Sequence, residues 1–203
     1  MTDGKLDIQK LIPVDEDGEY IGDGDINIQF INNVGKLTAA YAYYGPKEYD
    51  SKHPDAGWYD EDEDELAEYE FGAGEGFQVY GGSACRFVYS GEVNLAETDV
   101  PFRRGLSFAA NVRPAATDIQ SLIPVDEDGE YIGDGDINIQ FFSNVGKLTA
   151  AYAYYGPKEY DSKHPDAGWY DEDEDELVDY EFVAGEGFKL SAGSAGYLRF
   201  PEL

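Results

Sequence analysis

The chain is 203 residues long and carries 43 acidic residues against 14 lysines and arginines, a formal net charge of −29. That balance excludes the basic face a phosphate backbone needs, so nucleic acid is not an expected partner, and it opposes adsorption to an anionic membrane. Hydrophobic residues make up 42%, with 17 tyrosines and 11 phenylalanines against one methionine and two tryptophans, so a packed core is affordable and strands rather than helices are expected to carry it.

A long internal repeat organises the chain. Residues 7–76 and 118–187 align without a gap at an offset of 111, and only six of the 70 pairs differ: Lys10/Ser121, Ile31/Phe142, Asn32/Ser143, Ala67/Val178, Glu68/Asp179 and Gly72/Val183. A repeat of this fidelity predicts two modules of one fold. Residues 92–117, EVNLAETDVPFRRGLSFAANVRPAAT, occur once, and only MTDGKL stands ahead of Asp7. One copy therefore lacks these 26 residues of the period. The expected organisation is a first module at 1–91, a connecting segment at 92–117 belonging to either module, and a second module at 118–203.

Charge follows the same division. Residues 7–76 sum to −15 and residues 118–187 to −16, whereas residues 77–117 hold four arginines against three acids. The acid belongs to the repeated body; the connecting segment, with Arg103 and Arg104, is mildly basic.

In chain order, MTDGKLDIQK has no apolar core of a signal peptide, and no run approaches the roughly 18 apolar residues of a membrane span. Residues 8–14 read as a short strand, and residues 25–31 (DINIQFI) alternate as a half-buried one. Residues 37–44 (LTAAYAYY) alternate too, placing Tyr41 and Tyr43 on one face. A long loop, GPKEYDSKHPDAG, precedes Trp58. The acid run DEDEDE (60–65) reads as an exposed loop or helix start, and residues 65–70 as a helical turn that competes with the strand signal at 69–71. Strand signals follow at 69–71, 76–80 and 86–89, the last two joined by a Gly-Ser turn. The unique segment adds LSFAANV, and the second copy then repeats the order. These signals predict an all-β fold of two tandem, near-identical small β-sandwich or barrel modules.

Two sets of residues are candidates for binding. The loop PVDEDGEYIGDGDINIQF offers oxygen ligands at Asp15, Asp17, Asp23, Asp25 and Asn27, repeated as Asp126, Asp128, Asp134, Asp136 and Asn138. Calcium takes six to eight oxygens from glycine-bent loops, so it is the cofactor such a loop would hold. The spacing is not that of an EF-hand, and a solvated turn explains the same letters. The aromatic residues Tyr43, Trp58 and Tyr59, with Tyr154, Trp169 and Tyr170, would form a stacking surface for sugar rings if they face solvent, and core if they face inward.

Other signals point away from chemistry. His53 has no second histidine or cysteine nearby for zinc. Cys85 is the one cysteine, and Gly196 stands at its place in the second copy, so no intramolecular disulfide forms and a buried, inert thiol is expected. Six consecutive carboxylates are a poor setting for the single raised-pKa acid of a glycosidase. No nucleophile elbow or phosphate-binding loop is present.

The succession GEV, RRGLSFAANVRP, IQSLIPVDEDGEYIGDGD, Gly-Trp and AGEGF resembles repeat modules of large secreted bacterial surface proteins. It covers the second module and the first without its leading segment. The resemblance implies export and a repeated all-β surface architecture, and it implies no site residues.

The expectation is therefore a non-enzymatic, extracellular structural or adhesive protein, a mature fragment of an exported chain. It would assemble with copies of itself into a surface fibre through a strand edge left unpaired where the leading segment is missing. The alternative is a calcium-dependent carbohydrate-binding module with two equivalent sites for a cell-surface glycan. Membrane insertion is not expected.

Overall fold

In the computed structural model the chain is all-β, and the residues described are 6–32, 34–46, 53–72, 74–88, 95–143, 145–157 and 164–203. It divides into two compact units. The first comprises Met1–Asn32, Lys36–Ala73 and Phe77–Glu92; the second comprises Val93–Leu203 with Asn33–Gly35 and Gly74–Gly76. Among the described residues no helix is long and apolar enough to cross a membrane.

The first unit contains β1 (Leu6–Asp7), β2 (Ile12–Val14), β3 (Asp23–Ile31), β4 (Leu37–Tyr44), β5 (Gly57–Asp60), β6 (Glu70–Phe71), β7 (Gln78–Gly81) and β8 (Arg86–Val88). The main sheet runs β5-β4-β3-β7, all antiparallel, while β2 pairs with β8 and β1 with β6. Alternation in DINIQF puts Ile26, Ile28 and Phe30 on the inner face, where they are buried with Tyr41, Tyr43 and Trp58.

The second unit contains β9 (Thr98–Phe102), β10 (Gly105–Ala110), β11 (Thr117–Asp118), β12 (Ile123–Val125), β13 (Asp134–Phe142), β14 (Leu148–Tyr155), β15 (Gly168–Asp171), β16 (Glu181–Phe182), β17 (Gly187–Ala192) and β18 (Gly196–Phe200). Its sheets run β10-β17-β13-β14-β15 and β12-β18-β9, with β11 beside β16. The two larger sheets are counterparts of β5-β4-β3-β7 and β2-β8 with one strand added at the edge, and β11-β16 is the counterpart of β1-β6.

One local device recurs in both units and explains a departure from the sequence reading. Residues 8–14 do not form one strand, because Asp7 Oδ1 accepts the Gln9 N–H (2.9 Å) and winds Ile8–Lys10 into a 3-10 turn. That turn aims the Gln9 side chain at β5 and the segment that follows it. Its Nε2 donates to Trp58 O (2.9 Å) and Ala67 O (2.8 Å), and its Oε1 accepts the Trp58 N–H (2.9 Å). The Trp58 indole N–H donates to Leu11 O at 2.7 Å. Gln120, Trp169, Val178 and Leu122 repeat the arrangement. A Cβ at Gly57 would lie 2.5 Å from Gln9 Oε1, so a larger residue there would displace the clamp.

The acid run forms a turn after β5, with Asp60 Oδ1 accepting from Asp62 N (2.8 Å) and Glu63 N (3.2 Å). Residues 65–70 are not helical; Leu66 forms an isolated bridge with Tyr59.

A candidate strand-acceptor edge

The segment that occurs once in the sequence completes the second unit. Residues 98–110 run antiparallel to residues 187–200 along both sheets, β10 beside β17 and β9 beside β18. Ser107 stands opposite Leu190 and Val100 opposite Leu198. Val100, Phe102 and Ala109 join Phe188, Leu190, Leu198 and Phe200 in one buried cluster.

Polar contacts fix this lead segment at its ends. Arg199 holds Asp99 with two bonds, Nε to Oδ1 at 2.8 Å and Nη2 to Oδ2 at 2.9 Å. The guanidinium keeps the Asp99 carboxyl below its ordinary range, and the carboxylates of Asp99 and Glu97 push the Arg199 pKa up. Asn111 is buried; its Nδ2 donates to Ala115 O (3.1 Å), Phe182 O (3.2 Å) and Val183 O (3.1 Å). Its Oδ1 accepts the Arg113 N–H at 2.9 Å. Arg113, also buried, donates through Nη1 to Ala96 O (2.8 Å) and through Nη2 to Phe200 O (2.8 Å) and Pro201 O. Burial pulls its pKa down, and the nearby Glu97 carboxylate opposes that. The other edge of β10 is lined by residues 74–76: Gly76 N–H donates to Phe108 O (3.1 Å) and Ala110 N–H to Gly74 O (3.3 Å).

In the first unit the matching strands are β7 and β8, and among the described residues no strand lies on the outer side of either. The consequence is visible at equivalent positions. Leu190, paired with the fully buried Ile139, is 0% exposed, whereas Val79, paired with the fully buried Ile28, is 42% exposed. Tyr80 and Val88 are 53% and 52% exposed. Phe77 and Phe87 are half-buried where Phe188 and Leu198 are buried. The first unit thus presents an unpaired backbone edge beside apolar side chains. Closing it would bury Val79 and both phenylalanine rings further, worth up to about 1.5–3 kcal/mol for each side chain fully withdrawn from water.

The candidate binding residues read from the sequence lie elsewhere. Tyr43, Trp58 and Tyr59 are buried, as are Tyr154, Trp169 and Tyr170, so these rings belong to the interior and offer no face to solvent. Burial raises the Tyr154 hydroxyl to about 12. In the acid loops, Asp15 Oδ1 accepts from Asp17 N and Glu19 N, both at 2.9 Å, and Asp126 does the same with Asp128 and Glu130. Asp17, Asp25, Asp128, Asp134 and Asp136 are exposed. Asn27 Nδ2 donates to Gly24 O at 3.0 Å and Asn138 Nδ2 to Gly135 O at 3.3 Å. Among the described residues no three acidic, histidine or cysteine side chains converge as a metal site. The Asp23 side chain, Tyr49 and residues 89–94 lie outside the described set.

Two features escaped the sequence reading. His53, set aside as an unlikely zinc ligand, is buried, stacked on Tyr44 with ring centres 3.5 Å apart, and its Nε2 is 2.9 Å from Asp64 Oδ1. His164, Tyr155 and Asp175 repeat this. The edge residues Val79, Phe87 and Val88 were not singled out either, although an open strand edge was expected from the repeat. Compared with known proteins, the chain matches no family model, no characterised protein and no solved structure.

Proposed function

We propose that the chain is a non-enzymatic structural or adhesive protein of an extracellular surface, built of two tandem modules of one β fold, the second completed by the lead segment and the first left open. Association through the open strand edge is what joins one chain to the next. The observation that supports this reading is the contrast between Val79 and Leu190: the same position in the same pairing is 42% exposed in one copy and 0% in the other. An edge with unpaired N–H and C=O groups beside exposed apolar side chains gains from any strand that covers it.

Sedimentation and electron microscopy of the purified chain over a wide concentration range test the proposal. Concentration-dependent association is expected, reduced by Val79→Lys, which sets a charge on the edge. A chain that stays strictly monomeric at high concentration overturns self-association.

A further inference from the structure

We infer that the open edge of the first unit is a specific acceptor for an additional lead segment, an extended strand pair patterned on residues 98–110. This rests on the assembly reading above and names its partner.

The same chain supplies the template. In the second unit, residues 98–110 pair along residues 187–200, and these align with residues 76–89 at the offset of 111. Gly76 already donates to Phe108 O, so the free edge begins at Phe77. Transferring the register places Ala109 opposite Phe77, Ser107 opposite Val79, Phe102 opposite Cys85 and Val100 opposite Phe87. The apolar residues that fill the second core would thus meet the side chains left exposed or half-buried in the first.

Counting donors makes the partner an additional segment rather than the one already seated. Residues 1–203 hold one lead segment and two places for it. Moving it from the second unit to the first, within a chain or between chains, opens one edge for each it closes. Exchange among copies therefore leaves one open edge per chain, and an extra segment is needed to fill it.

One substitution separates the two acceptors. Arg199, which grips Asp99 through Nε and Nη2, is Val88 in the first unit. A donor matched to the first unit has an apolar residue in place of Asp99.

Cys85, the one cysteine, provides the readout. At the equivalent Gly196, an added Cβ would lie 2.5 Å from Val125 O, 2.7 Å from Ile132 Cδ1 and 3.0 Å from Phe102 Cζ, so the donor's counterpart of Phe102 would come up against Cys85 and shield its thiol. The experiment is alkylation of Cys85 in the full chain, with and without a synthetic peptide of residues 95–117. It is run at alkaline pH because burial pushes the thiol pKa up. The expected result is one peptide bound per chain and Cys85 labelling slowed by roughly tenfold or more at saturation. A peptide carrying Asp99→Val should protect at lower concentration, and Val79→Lys in the chain should abolish protection.

No protection by either peptide overturns the inference, as does equal protection by a scrambled peptide. Weaker protection by the Asp99→Val peptide overturns the register. A chain that self-associates but ignores the peptide refutes the inference and spares the assembly reading. A monomeric chain protected by the peptide does the reverse.

Discussion

Val79 and Leu190 each stand across the sheet from an isoleucine with no accessible surface, yet the first is 42% exposed and the second is fully buried. The same mutation should therefore have unequal consequences. Leu190→Ala removes a side chain enclosed on all sides and should cost about 2–5 kcal/mol of second-unit stability. Val79→Ala loses packing on one side only and should cost less than about 1 kcal/mol. Urea unfolding followed by tryptophan fluorescence measures both, since Trp58 and Trp169 report one unit each. Equal costs would show that Val79 is as well packed as Leu190.

Gln120 connects the 3-10 turn to the strand that carries Trp169, using both ends of its amide. Gln120→Ala strands the Trp169 N–H and two carbonyls in a half-buried site. A loss of roughly 1–3 kcal/mol is expected, because unmatched polar groups keep their desolvation cost. Gln120→Glu should be no better, since a carboxylate cannot donate to Trp169 O and Val178 O. Denaturant midpoints of the two variants, read from Trp169, check this.

The Asp99–Arg199 pair gives the second unit an acid dependence. The folded pKa of Asp99 lies below its unfolded value, so the unfolded chain binds the proton first. The pair's contribution is complete above the ordinary aspartate value, about 3.9, and fades as pH falls through the lower folded value. Asp99→Asn should therefore be less stable than the parent at pH 6, with the gap narrowing as pH drops below about 4. Because Asp99 is more than a third exposed, the gap at neutral pH should be small and should shrink further in high salt. A gap that widens on acidification would contradict the pairing.

Much of the fold was legible because period-2 alternation is strong in this chain. DINIQFI and LTAAYAYY became β3 and β4 with the faces their patterns set, and the Gly-Ser turns joined β7 to β8 and β17 to β18. The 3-10 turn at Ile8–Lys10 was hidden, since its cause is one capping bond from Asp7 rather than a pattern. The orientation of Tyr43, Trp58 and Tyr59 was open in the sequence, because an aromatic on a strand reads the same facing in or out. Burial of Arg113 could not be foreseen either. It depends on carbonyls of residues 96, 200 and 201, which only the fold brings together. The gap in the repeat carried the expectation of an open strand edge, but which side chains line it needed the pairing of β9 and β10.

The acid loops give the last prediction. Asp15 and Asp126 each accept two backbone N–H groups with one carboxylate oxygen, which pins the turn of the loop. Asp17, Asp25, Asp128, Asp134 and Asp136 are exposed, and their charges add to the repulsion within a chain of net charge −29. Sodium chloride should then raise the melting temperature by screening, most steeply below about 0.1 M, where the Debye length exceeds about 10 Å. Calcium compared with sodium at equal ionic strength should add nothing further. A specific site at 100 times its dissociation constant would instead add about 2.7 kcal/mol, lost again on chelation. Thermal unfolding in the two matched salts, with and without chelator, distinguishes screening from a bound ion. A calcium-specific shift that Asp15→Asn and Asp126→Asn abolish would identify these loops as metal sites.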